Sequence, residues 1–76
     1  MARRTKDPVK TLAERMKTQG LTQEQLGSLV GLAQSQVSRV LARKAVPPLY
    51  SMYQIEERFG IPARSWYSIQ KEIRGR

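Results

Sequence analysis

Cysteine and histidine are both absent from the 76-residue sequence. Without them there is no disulfide framework, no Cys/His zinc site and no thiol or imidazole catalyst. Acids are scarce as well: Asp7, Glu14, Glu24, Glu56, Glu57 and Glu72 are all of them. The adjacent Glu56 and Glu57 point to different sides of any helix, roughly 100° apart, so they form no acid/base dyad. Neither a P-loop nor a Gly-x-Gly-x-x-Gly occurs. These absences exclude the usual enzymatic repertoires, and no metal, cofactor or small-molecule ligand is expected. No apolar run nears the length needed to cross a bilayer, and residues 1–6 contain no apolar leader core. The expectation is a complete, cytoplasmic chain without a membrane partner.

What is present is positive charge. Fourteen Lys and Arg against six acids give a formal net charge of +8. A surplus of this size points to a polyanionic partner. The distribution sharpens the point, because no acid occurs from Gln25 through Ile55, while Arg39, Arg43 and Lys44 all fall in that stretch.

The apolar spacing predicts an all-α protein of five helices, at about 8–19, 23–30, 34–42, 48–59 and 63–73. Residues 1–7 read as a basic arm, residues 8–73 as one domain and residues 74–76 as a basic tail. Asp7-Pro8 supplies an N-cap and a proline at the first helical position. The first helix then buries Val9, Leu12, Ala13 and Met16, and Gly20 ends it. Thr22-Gln23-Glu24-Gln25 has the form of a capping box, followed by Leu26, Leu29 and Val30 up to Gly31. Val37, Val40 and Leu41 carry the third helix into the core, and Pro47-Pro48 blocks its continuation. Leu49, Met52, Tyr53, Ile55 and Phe59 are the apolar positions of the fourth helix. Trp66, Ile69 and Ile73 form the stripe of the fifth.

Two short amphipathic helices joined by a tight glycine turn, from Thr22 to Leu41, are the pattern of a helix-turn-helix. On the third helix, taking Gln34 as zero, Val37, Val40 and Leu41 occupy an arc of roughly 240–340°. Gln34, Ser35, Ser38, Arg39 and Ala42 occupy roughly 0–140°. A solvated helix face normally carries Glu/Lys pairs, and this one has no acid. Its residues are those that address base edges: glutamine pairs with adenine, arginine with guanine, and serine adapts.

Position by position, residues 8–62 resemble the lambda-repressor/Cro (XRE-type) helix-turn-helix family. Leu26, Gly31, Val37 and Val40 fill that family's core and turn positions. Gly27 stands where the family usually has alanine, at the close approach of the two helices. Ala33-Gln34-Ser35-Gln36-Val37 looks like the start of the family's recognition helix.

The resemblance implies a lambda-repressor-like bundle and a transcription regulator of bacterial or phage origin, working in the bacterial cytosol or nucleoid. It implies Gln34, Ser35, Ser38 and Arg39 as base readers on double-stranded DNA. Phosphate contacts would come from Gln23, Gln36, Arg43 and Lys44, and from Arg3, Arg4 and Lys6 in the arm. The family usually dimerises through its C-terminal helical region, so Trp66, Ile69 and Ile73 are either core or a homodimer contact. Tyr50, Tyr53 and Tyr67 stay open among core, dimer surface and phosphate ligand.

Two departures stand out. Ala33 occupies the place where Ser or Thr commonly caps the recognition helix. Met16 and Leu41 replace a partly buried Arg/Glu pair found in many members, an exchange that is often neutral or stabilising when both charges leave together. A different class of function remains: an antitoxin-like interaction module whose apolar stripe covers a protein partner.

Overall fold

In the computed structural model, which describes residues 7–75, five α-helices follow one another, with no strand among the described residues. They are α1 (Pro8–Gln19), α2 (Gln23–Val30), α3 (Gln34–Leu41), α4 (Leu49–Phe59) and α5 (Trp66–Arg74). A single 3-10 turn, Ala63–Ser65, leads into α5. The bounds of α1 and α2 agree with the expected spans. The differences lie at later ends: Ala42 caps α3 instead of belonging to it, Pro48 precedes α4, and the expected fifth helix begins as the 3-10 turn.

Local chemistry accounts for the helix ends. Asp7 Oδ1 accepts from the backbone N–H groups of Val9 and Lys10, at 3.1 and 3.2 Å. The capping box of α2 is complete. Thr22 Oγ1 accepts from Gln25 N–H at 3.1 Å, and Gln25 Oε1 accepts from Thr22 N–H at 2.9 Å. At Ala33 only the reciprocal half can form, and Gln36 Oε1 accepts from Ala33 N–H at 2.9 Å. The missing hydroxyl is thus partly offset by a glutamine reaching back from the first turn.

The helices close over one core: Val9, Leu12 and Met16 from α1, Leu26 and Val30 from α2, Val37 and Val40 from α3, Ile55 and Phe59 from α4, and Trp66 and Ile69 from α5. Leu32 and Ile61, from the turns, join them. Helix α2 packs against α3 and α4, α1 against α3, and α4 against the 3-10 turn.

One expected core position turns outward, since Ala13 is exposed, and two of the apolar positions of α4, Leu49 and the undecided Tyr53, are 59% and 56% exposed. Their helices have room for only one buried stripe, and the stripe passes through neighbouring residues. Met16 is buried, whereas Leu41 is half-buried at the core edge. Both replacements for the family's charged pair therefore join the apolar cluster, with Leu41 less deeply set than expected.

The turn between α2 and α3 decides how α3 is presented. Leu32 N–H donates to Gly27 O at 2.8 Å, wrapping the chain tightly over the end of α2. A Cβ at Gly27 would lie 2.3 Å from the Leu32 carbonyl oxygen, so here glycine accommodates the turn's own backbone as well as the neighbouring helix. Gly31 has φ +80°, and a Cβ there would also lie 2.9 Å from the Tyr50 ring. From the next residue of α4, the buried Ser51 Oγ donates to Val30 O at 2.7 Å. That bond satisfies a carbonyl left over at the end of α2. Helix α4 thereby braces the turn from behind.

Candidate nucleic-acid interface

With Val37 and Val40 buried, the opposite side of α3 is set toward solvent. Gln34, Ser35, Ser38, Arg39 and Ala42 are all exposed. Among the described residues, the side chains of Gln34, Ser35, Ser38 and Arg39 have no hydrogen-bond or ion-pair partner. The four expected base readers thus share one face, free to meet a ligand, on a helix fixed by its other side. Gln36 and Arg39 also line a shallow pocket of about 80 Å³, walled by Leu32, Val40 and residues 45–48. The loop after α3 therefore supports the helix along its flank.

The expected phosphate residues are dispersed. Lys44 is exposed beyond the end of α3, and Gln23 is half-buried at the first position of α2. Gln36 is exposed, with its carbonyl oxygen engaged by Ala33 while its amide nitrogen can still donate. Arg3, Arg4 and Lys6 lie outside the described residues.

Arg43 departs most from expectation. Its guanidinium is paired with Asp7 and lies 3.7 Å from Glu72. Instead of reaching outward, it ties the start of α1 to α5 at the end of α3. Its backbone is also unusual, with φ +63°, the one positive value among the described non-glycine residues. Arg43 N–H donates to Val40 O at 3.1 Å and Lys44 N–H donates to Arg39 O at 2.9 Å. These two bonds make a Schellman cap, in which the left-handed position usually belongs to glycine. Arginine there adopts an unfavourable backbone region and supplies the cross-link in return.

Two substitutions separate those effects. Arg43→Ala removes the cross-link and retains the strain, whereas Arg43→Gly removes both. The glycine variant should therefore be the more stable of the two, by about 1 kcal/mol in urea unfolding. Equal stabilities would show that the cap does not hold position 43 in the left-handed region.

Asp7 carries the matching electrostatic signature. Partial burial disfavours its charge, but the hydrogen bond from Arg43, the N–H groups of Lys10 and Val9 and the Arg43 charge outweigh that cost. Its pKa accordingly falls below the ordinary value of 3.8. Because the folded value is the lower one, this stabilisation is complete above the unfolded value and disappears as pH falls through the folded one. Asp7→Asn keeps an N-cap acceptor while deleting the charge. The stability gap between the parent and this variant, measured by urea unfolding, should be constant from pH 6 to 5 and shrink below pH 4. A gap that widened in acid would contradict the lowered pKa.

The C-terminal stripe resolves in favour of the core at two positions. Trp66 and Ile69 are 0% and 2% exposed. Neither can be a homodimer contact without unpacking the domain, whereas Ile73 is half-buried at the core edge. Among the described residues, the exposed large apolar side chains are Leu49, Tyr50, Tyr53 and Tyr67. Sequence reasoning missed Ser51, Glu72 and the second role of Asp7. Asp7 had a visible signal as an N-cap, but nothing in the linear pattern joined it to residue 43.

A braced helix-turn-helix with an acid-free outer face defines a class, the DNA-binding helix-turn-helix domains. The chain belongs to the Cro-type (XRE) helix-turn-helix family, whose model, described as helix-turn-helix, matches residues 12–66. No curated protein and no solved structure is matched. The family is a DNA-binding, regulatory one and is generally non-enzymatic. No helix among the described residues is long and apolar enough to cross a membrane.

Proposed function

We propose that this chain is a sequence-specific transcription regulator of the Cro or small-repressor kind, acting in the cytoplasm of a bacterium. It places α3 in the major groove of a palindromic operator. The observation that carries this reading is the exposed face of Gln34, Ser35, Ser38 and Arg39, free of partners among the described residues and free of acids. Gln34 and Arg39 can each offer paired hydrogen bonds to a purine edge, and the two serines adapt to either base type. Lys44, Gln23 and Gln36 hold phosphates beside them, as do Arg3, Arg4 and Lys6 in the arm.

The regulator acts as a homodimer. Because Trp66 and Ile69 are enclosed, the contact is assigned to the exposed Leu49, Tyr50 and Tyr53 of α4. The same enclosure weakens the antitoxin-like alternative, which relied on that stripe to cover a partner.

Selection of bound duplexes from a random pool tests the whole proposal. The expected product is a dyad whose half-sites lie about 10–10.5 base pairs apart, centre to centre. A pool that stays random after repeated rounds would remove sequence-specific reading. An enriched site without a dyad would remove the homodimer.

A further inference from the structure

Outside α3, one helix face concentrates positive charge without acids. Arg64, Tyr67, Lys71 and Arg74 are all exposed, and their spacing brings them within an arc of roughly 90° along the 3-10 turn and α5. The Lys71 ammonium sits 5.6 Å from the centre of the Tyr67 ring, a cation–π contact that holds the side chain along the helix. The one acid of α5, Glu72, lies to the side and reaches Arg43 at 3.7 Å.

Two ordinary explanations account for only part of this pattern. Cations near a helix C-terminus are favoured by the helix dipole, which suits Lys71 and Arg74. Arg64 stands at the opposite end, where the dipole disfavours a cation, and the nearby Glu56 of α4 is turned to the Ala63 N–H at 3.4 Å without an ion pair to Arg64 among the described residues. A merely solvated face would mix signs, as α1 does with Lys10, Glu14 and Lys17 on its exposed side. Three like charges along one stripe repel each other in the free chain, and a polyanion would relieve that repulsion.

We infer that the stripe of Arg64, Tyr67, Lys71 and Arg74 is a second surface for the phosphate backbone of duplex DNA, separate from the reading face of α3. The occupant is identified by charge: a row of cations with a phenol donor matches a row of phosphates. The inference rests on the DNA-binding reading above and extends its footprint.

The test is the salt dependence of binding to the selected duplex. Each phosphate contact contributes about 0.9 to the slope of log affinity against log salt. The triple variant R64Q/K71Q/R74Q should make the slope shallower by about 2–3 while leaving the order of preference among single-base variants unchanged. Single substitutions R64Q and K71Q should each remove about 0.9. A control that loses as many charges elsewhere, R15Q/K17Q/R58Q, should keep the parental slope. Far-ultraviolet circular dichroism and Trp66 emission report whether each variant retains the fold.

An unchanged slope in folded R64Q/K71Q/R74Q would overturn the inference, as would equal losses in the two triple variants, because charge alone would then suffice. Failure of the underlying reading looks different, since the unsubstituted chain would itself show no steep salt dependence on any duplex. Retention of the full slope on DNA together with loss of binding to an acidic protein or an anionic vesicle would assign the stripe to that partner and also overturn the proposal.

Discussion

Truncating Trp66 to alanine should cost about 3–5 kcal/mol, the loss expected for a large aromatic removed from a packed interior. Trp66 is fully enclosed, at the entrance to α5, in the cluster that α1, α2, α3 and α4 also build. Domains have about 0.05–0.15 kcal/mol of stability per residue, so a 76-residue chain has roughly 4–11 kcal/mol in all. The alanine variant should therefore lose from roughly a quarter to all of its stability. Trp66→Phe should behave differently. The indole Nε1 is buried with no hydrogen-bond partner among the described residues. An unpaired buried donor costs about 1–3 kcal/mol, and phenylalanine deletes the donor while filling most of the space. The phenylalanine variant should lose less than half of what the alanine variant loses. Urea unfolding followed by circular dichroism, which does not depend on the indole, gives both values. Equal losses would mean that the indole nitrogen is not a burden on the fold.

Removing Gln34 or Arg39 should lower affinity for the selected operator by about 1–3 kcal/mol each and relax preference at one base pair per half-site. Lys44→Ala should instead weaken every duplex by a similar factor and make the salt slope shallower by about 0.9, because a phosphate carries no sequence information. Arg43→Ala belongs with neither group. Its guanidinium already bridges Asp7 and Glu72, so the substitution should appear first as lost stability. The comparison needs the selected site, its single-base variants and an unrelated duplex. If Gln34→Ala and Arg39→Ala reduce binding equally on all of them, α3 does not read bases, and the assignment of the site falls.

The helices and their caps were legible because they depend on local rules. Asp7, Thr22, Gly20, Gly31 and Gly60 mark helix ends through hydrogen-bonding side chains or left-handed backbone, which neighbouring residues suffice to specify. The outward face of α3 was legible for a related reason. Burial of Val37 and Val40 leaves a helix only one side for Gln34, Ser35, Ser38 and Arg39.

Contacts between distant segments were not legible. Asp7 and Arg43 are 36 positions apart, and the linear pattern indicated only a helix cap and a basic residue after α3. Closure of α1 against α3 brings the two together. The same holds for Ser51 and Val30, 21 positions apart, which meet because α4 packs behind the turn. A similar limit applied to the apolar residues of α4. Period alone could not distinguish the buried Ile55 and Phe59 from the exposed Leu49 and Tyr53. That choice depends on which side of the helix meets its neighbours.

For this protein, residue order determined the five helices, the ends of the first two and the chemistry of the face that α3 presents, since each follows from bonds and periodicities within a few residues. Tertiary structure alone decided that Arg43 is a cross-link and that Trp66 and Ile69 are core. Those outcomes depend on which segments approach one another, and the approach is set by closure of the whole core.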